Sequence, residues 1–210
     1  LDTAGVVGHG LDITLEDQVV FTGRVVGSDE VGGILGRSSS DTTVSTSYVR
    51  ATVEADEARG RVHGDNADAG GLVGDSGGPS TFTNVYTVGS VSGEVAGSIV
   101  GDGKEDTFED VYWDTDRGPN DAVGGYTADG VTQLSTAEMQ GVTAEENMDF
   151  DWDGTWQSVA GDYPVFQWEA AAVGESSIAG IDATDATAVV NETGEVTVFA
   201  TDQFGNRLES

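Results

Sequence analysis

Short apolar or β-branched runs alternate with glycine, serine and aspartate from Leu1 as far as Gly130. Thr83–Val88 is one such run, and Leu11-Asp12-Ile13-Thr14-Leu15 alternates as a half-buried strand does. No helical period is sustained in this part of the chain. The Gly, Ser and Asp clusters between the runs are turn signals, so the pattern predicts short strands at close spacing. Asp116–Asp129 is polar and glycine-rich and reads as a loop. The one helix signal lies in Thr132–Gly141, with Ser135 or Thr136 as N-cap, Glu138 in the first turn and Gly141 as stop. Asp149-Phe150-Asp151-Trp152-Asp153 alternates carboxylates with aromatics, which predicts a strand with one acidic and one aromatic face.

The runs also recur. Gly71-Leu72-Val73-Gly74 has relatives in Gly5-Val6-Val7-Gly8, Gly33-Ile34-Leu35-Gly36 and Ser98-Ile99-Val100-Gly101. Val44, Phe82 and Phe108 stand in the same place ahead of a tyrosine: Tyr48, Tyr86 and Tyr112. Gly23-Arg24-Val25, Ala51-Thr52-Val53 and Gly89-Ser90-Val91 follow Gly5, Gly33 and Gly71 at one common interval. The interval from Gly33 to Gly71 is longer than its neighbours, which fits an insertion in the polar run Glu57–Asp68. A unit of roughly 27 residues cannot close a core alone, whereas stacked copies bury a continuous one. The expected fold is mainly β: a β-solenoid of about four repeats (residues 1–27, 28–56, 69–94 and 95–118), with an aromatic cap and a short helix.

The Gly-Gly-Leu-Val-Gly…Tyr…Gly-x-Val-x-Gly pattern of Gly70–Gly93 resembles the GLUG motif, a repeat of large bacterial and archaeal surface proteins and adhesins. Val111-Tyr112-Trp113-Asp114, Leu134–Gly141, Asp149–Gln157 and Tyr163–Trp168 resemble the end-cap that follows such repeats. Val196–Asn206 resembles the opening of an invasin-type bacterial immunoglobulin-like domain, for which only 178–210 remain where a sandwich needs ~100 residues. The expected organisation is a capped array over 1–169, a small-residue linker over 170–177, and a partial immunoglobulin-like segment over 178–210. These resemblances imply a non-catalytic structural or adhesive segment of a secreted or cell-surface protein, hence an extracellular location. Its expected partners are other domains of the same surface protein and glycan or protein ligands on other surfaces.

Charge refines the picture. Eight Lys and Arg stand against 38 Asp and Glu, a net charge of −30, and Lys104 is the only lysine. The acids are scattered, so they do not form an acidic tail. Such a charge excludes nucleic acid as a partner, because phosphate binding needs the opposite sign. Self-repulsion weakens a compact state in dilute salt, and molar salt, with a Debye length of ~3 Å, screens it. Abundant acids with almost no lysine resemble the proteins of extreme halophiles; the competing reading is a calcium-dependent adhesion module, since calcium takes carboxylate oxygens. No apolar run approaches the roughly 20 residues of a membrane helix. Cysteine is absent, so there are no disulfides or thiolate metal sites. A chain that opens at Leu1 without methionine reads as a mature piece or an excised fragment.

Three sets of residues carry candidate chemistry. Gly74-Asp75-Ser76-Gly77-Gly78-Pro79 matches the nucleophile motif of chymotrypsin-like proteases. A serine nucleophile needs a histidine base and an orienting acid, and only His9 and His63 are available. Neither sits in the expected context, so Ser76 reads as a turn residue of the repeat, no catalytic residue is expected, and both histidines read as turn residues. Asp149-x-Asp151-x-Asp153-Gly154 resembles the start of an EF-hand loop, which makes Asp149, Asp151 and Asp153 calcium candidates. The twelfth position is Ala160, where the bidentate Glu belongs, so an acidic strand face is the favoured reading and no cofactor is expected. Asn191-Glu192-Thr193 is the one N-x-S/T sequon and a candidate glycosylation site. Tyr48, Tyr86 and Tyr112 read as stacked core positions and not as a carbohydrate platform.

Overall fold

A computed structural model describes residues 2–56, 67–103, 105–124, 126 and 128–170, together with the backbone of 186–190 and 196–200. The chain divides into two compact units, Leu1–Pro164 and Val165–Ser210. Strands dominate throughout. The first stretch carries β1 (Thr3–Ala4), β2 (Val7–Gly10), β3 (Ile13–Leu15) and β4 (Val19–Gly27); the second carries β5 (Val31–Gly32), β6 (Leu35–Ser38) and β7 (Thr42–Ala55). Then come β8 (Asp68–Gly70), β9 (Val73–Ser76), β10 (Ser80–Val88) and β11 (Val91–Ser92), followed by β12 (Val95–Gly97), β13 (Val100–Asp102) and β14 (Thr107–Asp114). The chain continues through β15 (Val131–Leu134), α1 (Val142–Asn147), β16 (Trp156–Val159), β17 (Asp162–Phe166), β18 (Ala186–Val190) and β19 (Val196–Ala200).

Four successive stretches place strands in the same three parallel sheets. One sheet has the order β1-β5-β8-β12 and another the order β13-β9-β6-β2. In the third, β7 is flanked by β3 and β4 on one side and by β10 and β11 on the other, and β14 and β15 continue it beyond β10. Sequence spacing and structural register agree. Phe82 pairs with Val44 and Phe108, Tyr86 with Tyr48 and Tyr112, and Gly70 with Gly32 and Gly97. The enclosed core stacks like on like: Ile34, Leu72 and Ile99 are all fully buried, as are Leu35, Val73 and Val100.

A left-handed residue recurs at one corner of the third sheet: Gln18, Thr46, Asn84 and Asp110 have φ of 74°, 46°, 54° and 53°. The strand register skips it, passing from Thr83↔Ser45 to Val85↔Ser47. An inserted residue of this kind shifts the in–out alternation by one. Phe82 and Val85 therefore both join the core despite their odd spacing, and Tyr86 turns to the opposite face. Asn and Asp tolerate this backbone region better than Thr does.

Three expectations are corrected. Ser135 and Glu138 do form a reciprocal cap, with the Ser135 N–H and Oγ donating to Glu138 Oε2 at 2.8 and 2.7 Å. However, Val131–Leu134 is a strand paired with β14, so the cap closes one turn only; the helix follows at Val142–Asn147, and Gly141 (φ 59°) precedes it instead of ending a helix. Asp149–Asp153 is extended chain running into a turn, because the backbone carbonyl of Asp151 accepts from the N–H groups of Thr155 and Trp156. The loop after Asp116 is also more than a loop. Ile99 and Val100 donate to the Ala122 carbonyl, and fully buried Val123 bridges Val100 in parallel, which adds a shortened fifth layer.

In the tail, β18 and β19 pair antiparallel, with Val190 opposite Val196. Most of the insertion at 57–68, most of the linker at 170–177, His63 and Asn191 lie outside the described residues.

Glycine at the corner before β9 is required by close approach. A Cβ on Gly70 would sit 1.7 Å from the Val73 carbonyl oxygen and 2.7 Å from the Gly101 nitrogen, both backbone atoms that cannot step aside. Gly161 (φ 73°) has nothing within 4 Å of such a Cβ. Gly70→Ala is expected to cost about 3 kcal/mol or more in urea unfolding, and Gly161→Ala only about 1–2 kcal/mol, the cost of a left-handed alanine. Equal costs would mean that the corner relaxes.

Candidate functional site

The Gly74–Pro79 motif is the end of β9 and the turn into β10. Ser76, opposite Ser38 in the register, is only 3% exposed. Its hydroxyl donates to Asp106 Oδ1 at 2.7 Å and lies 2.8 Å from Ser80 Oγ. No imidazole among the described residues bonds it. Asp106 is pushed up to about 6, first by burial and then by the Asp75 and Asp102 charges, against the Ser76 hydroxyl and the Ser80 backbone, which lower it. Buried this deeply, the serine is a poor nucleophile because a substrate cannot reach it.

His9 is not a turn residue. It lies within β2, directly opposite Arg37. Its Nδ1 lies 2.6 Å from Asp2 Oδ2 and its Nε2 lies 2.7 Å from Ser39 Oγ. Asp2 also hydrogen-bonds Glu30, a fully buried carboxyl raised chiefly by burial and next by Asp2, while Arg37 lowers it. Arg37 donates through Nη1 to Glu30 Oε1 at 2.9 Å and places Nε 3.4 Å from Asp75 Oδ2. The network thus ties together the first three stretches of chain. Its members come from distant positions, so no local motif announces it.

The tyrosine column is a packed one. Tyr48 and Tyr86 stack with ring centroids 4.9 Å apart and planes 5° from parallel, and Tyr48, Tyr86 and Tyr112 are all buried. Trp156 packs against Tyr48 and Tyr86, and Phe150 meets Tyr112 edge-on at 5.3 Å. Arg50 joins this column to the later segment. Its guanidinium lies 5.0 Å from the Tyr48 ring and 5.3 Å from the Tyr163 ring, and it donates to the carbonyls of Tyr163 and Pro164 at 2.8 and 2.7 Å and to Tyr86 Oη at 2.9 Å. Buried Asp114 completes the clasp by accepting from Tyr163 Oη, from Thr136 Oγ1 and from the Asp116 N–H. The groove of about 470 Å³ beside Arg50, between Gly89, Arg117 and Tyr163, therefore has its inner cation already engaged.

The calcium candidates do not converge. Asp151 closes its own turn, accepting from the Gly154 N–H at 3.1 Å and Thr155 Oγ1 at 3.0 Å, while the Asp149 N–H donates to Tyr112 Oη at 2.8 Å. Among the described residues no three His, Asp or Glu side chains gather as a metal ion requires. Among the same residues no helix is long and apolar enough to cross a membrane. Compared with known proteins, the chain matches no family model, no curated protein and no solved structure.

Two substitutions test this geometry. Lysine cannot reproduce the flat, multidentate contact of Arg50, so Arg50→Lys is expected to lower stability by about 2 kcal/mol in urea unfolding. A loss below about 0.5 kcal/mol would make the clasp decorative. Asp106 has a folded pKa above its unfolded value, so its stabilising contribution is complete below about pH 4 and is lost as pH rises through 6. Asp106→Asn is accordingly expected to add about 1–2 kcal/mol at pH 8, discounted for its partial exposure, and nothing at pH 3.5. An equal effect at both values would contradict the assignment.

Proposed function

We propose that the stacked sheets form a β-solenoid of GLUG-like repeats, serving as a structural or adhesive segment of a secreted or cell-surface protein. The observation that carries this reading is the register: positions one repeat apart in the sequence are direct neighbours in three parallel sheets. Each unit buries core residues against its neighbours in the stack, and such an array holds other parts of a protein at a defined separation. Burial of Ser76 and its bond to Asp106 speak against the protease motif as the source of function. The acidic composition suits a segment kept soluble and folded in concentrated salt, where repulsion is screened. Glycan or protein ligands on other surfaces would be met by its exposed faces.

Inserting a second copy of residues 5–32 ahead of Gly5 reproduces the native junctions on both sides. The enlarged protein is expected to gain one strand in each sheet, about 4.8 Å of stack, and a larger urea m-value with a single transition. An insert that is clipped by protease while the m-value stays unchanged would sink the repeat reading. Melting both proteins in ~0.1 M and ~3 M salt, with chelator or calcium, separates the two adhesive readings. Stability that climbs with salt and ignores calcium supports the scaffold, and rescue by millimolar calcium at low salt supports a calcium-dependent module.

A further inference from the structure

We propose that Asp2, His9 and Ser39 form an acyl-transfer site on the surface of the first two stretches. The three side chains make a continuous line: Asp2 Oδ2 to His9 Nδ1 at 2.6 Å, and His9 Nε2 to Ser39 Oγ at 2.7 Å. The roles follow from the ring nitrogens. With Nδ1–H donating to the Asp2 carboxylate, the lone pair falls on Nε2, and that nitrogen accepts the Ser39 hydroxyl proton. This is the order of contacts in which an acid orients an imidazole and the imidazole activates a serine, and it is recognised by geometry and not by position in sequence. The line is pinned by backbone pairing, because Gly10 faces Ser38 in the register and the Ser39 N–H donates to the Gly10 carbonyl at 3.0 Å.

Accessibility separates this serine from the one in the protease motif. Ser38 and Ser76 occupy equivalent inward positions and are buried, whereas Ser39 is one residue further on and exposed, and the His9 side chain is 46% exposed. Ser39 Oγ attacks the carbonyl carbon of an ester while Nε2 takes its proton. The tetrahedral intermediate expels the alcohol, which receives that proton from the imidazolium, and leaves an acyl-serine. Water then repeats the sequence, so that ester and water become acid and alcohol and the serine is restored. Arg37 pairs directly with His9 in the register, with its guanidinium held by Glu30 and Asp75. Leu11, 67% exposed and next after Gly10, offers an apolar rest for a short acyl chain. A chain of net charge −30 repels anionic substrates, so the class is a neutral or cationic carboxylic ester.

The test is a fluorophosphonate probe on the full chain, with adducts mapped by mass spectrometry. Ser39 is expected to label at least about 100-fold faster than Ser92, an exposed serine in the same molecule, and Ser76 not at all. His9→Gln is expected to remove that advantage, and Ser39→Ala to abolish hydrolysis of p-nitrophenyl acetate. Asp2 is a positioning residue: Asp2→Asn is expected to lower kcat at least about tenfold with KM unchanged, and Asp2→Glu to restore part of it. If Ser39 labels no faster than Ser92 in the unmodified chain, the proposal is overturned, whatever the variants do. Ester hydrolysis that survives Ser39→Ala overturns it equally.

Discussion

In a parallel, in-register stack every side chain has the same position of the next stretch as its neighbour, about 4.8 Å away along the sheet. Apolar and aromatic residues gain from this arrangement, since Ile34, Leu72 and Ile99, or Tyr48 and Tyr86, meet their own kind. Charged residues lose, because a carboxylate repeated in register faces another carboxylate. Asp75 lies directly opposite Asp102, and both charges help burial hold Asp106 well above an ordinary aspartate. A chain with 38 acids and 8 Lys or Arg therefore has a placement problem, which it meets by putting cations inside the acidic columns. Arg37 sits between His9 and Asp75 in the register and reaches Glu30 sideways; Arg24 reaches Glu54.

The same constraint explains the aromatic segment. A left-handed corner sends Tyr48, Tyr86 and Tyr112 away from the enclosed core, so the outer face of the third sheet would show a column of phenol rings to water. Phe150 and Trp156, stacked on each other with centroids 4.4 Å apart, cover it. Apolar packing alone would leave that cover free to slide. Arg50 sets its position by directing donors at the carbonyls of Tyr163 and Pro164 while its face rests near the rings, and Asp114 does so from the other side with acceptors. The polar groups are thus few and directional, and they provide the orientation that hydrophobic burial lacks.

What can be read in the sequence is whatever register converts into spacing. Val44, Phe82 and Phe108 ahead of their tyrosines, and the glycines at 33 and 71, are neighbours in space because they are equivalent along the chain. The fifth layer escapes such a reading because it is compressed: Val123 follows Val100, and Val131 follows Val111, at shorter intervals than separate any earlier pair of partners between successive stretches. At Ser135–Glu138 the local signal is right about the hydrogen bonds and wrong about their extent, since strand pairing of Val131–Leu134 takes the residues a longer helix would need. The Asp149–Asp153 alternation fails for a related reason: Asp151 has a better use for its acceptors in closing a turn than in facing water from a strand.

The two serines show why a motif and a site can part company by one residue. Ser38 ends β6 with its side chain buried, whereas Ser39, the first residue beyond the strand, is exposed although the two are neighbours in sequence. The protease-like hexapeptide places its serine in the position equivalent to Ser38, inside, where Asp106 holds the hydroxyl and a substrate cannot reach it. The outward position at Ser39 has no motif around it, only Arg37-Ser38-Ser39-Ser40-Asp41. Its chemistry comes from the adjacent stretch, because register delivers His9 to its side and Asp2 behind His9. The stack thus brings reactive groups together both across stretches and within one: Ser39 meets His9 from the neighbouring stretch, and His9 meets Asp2 from its own.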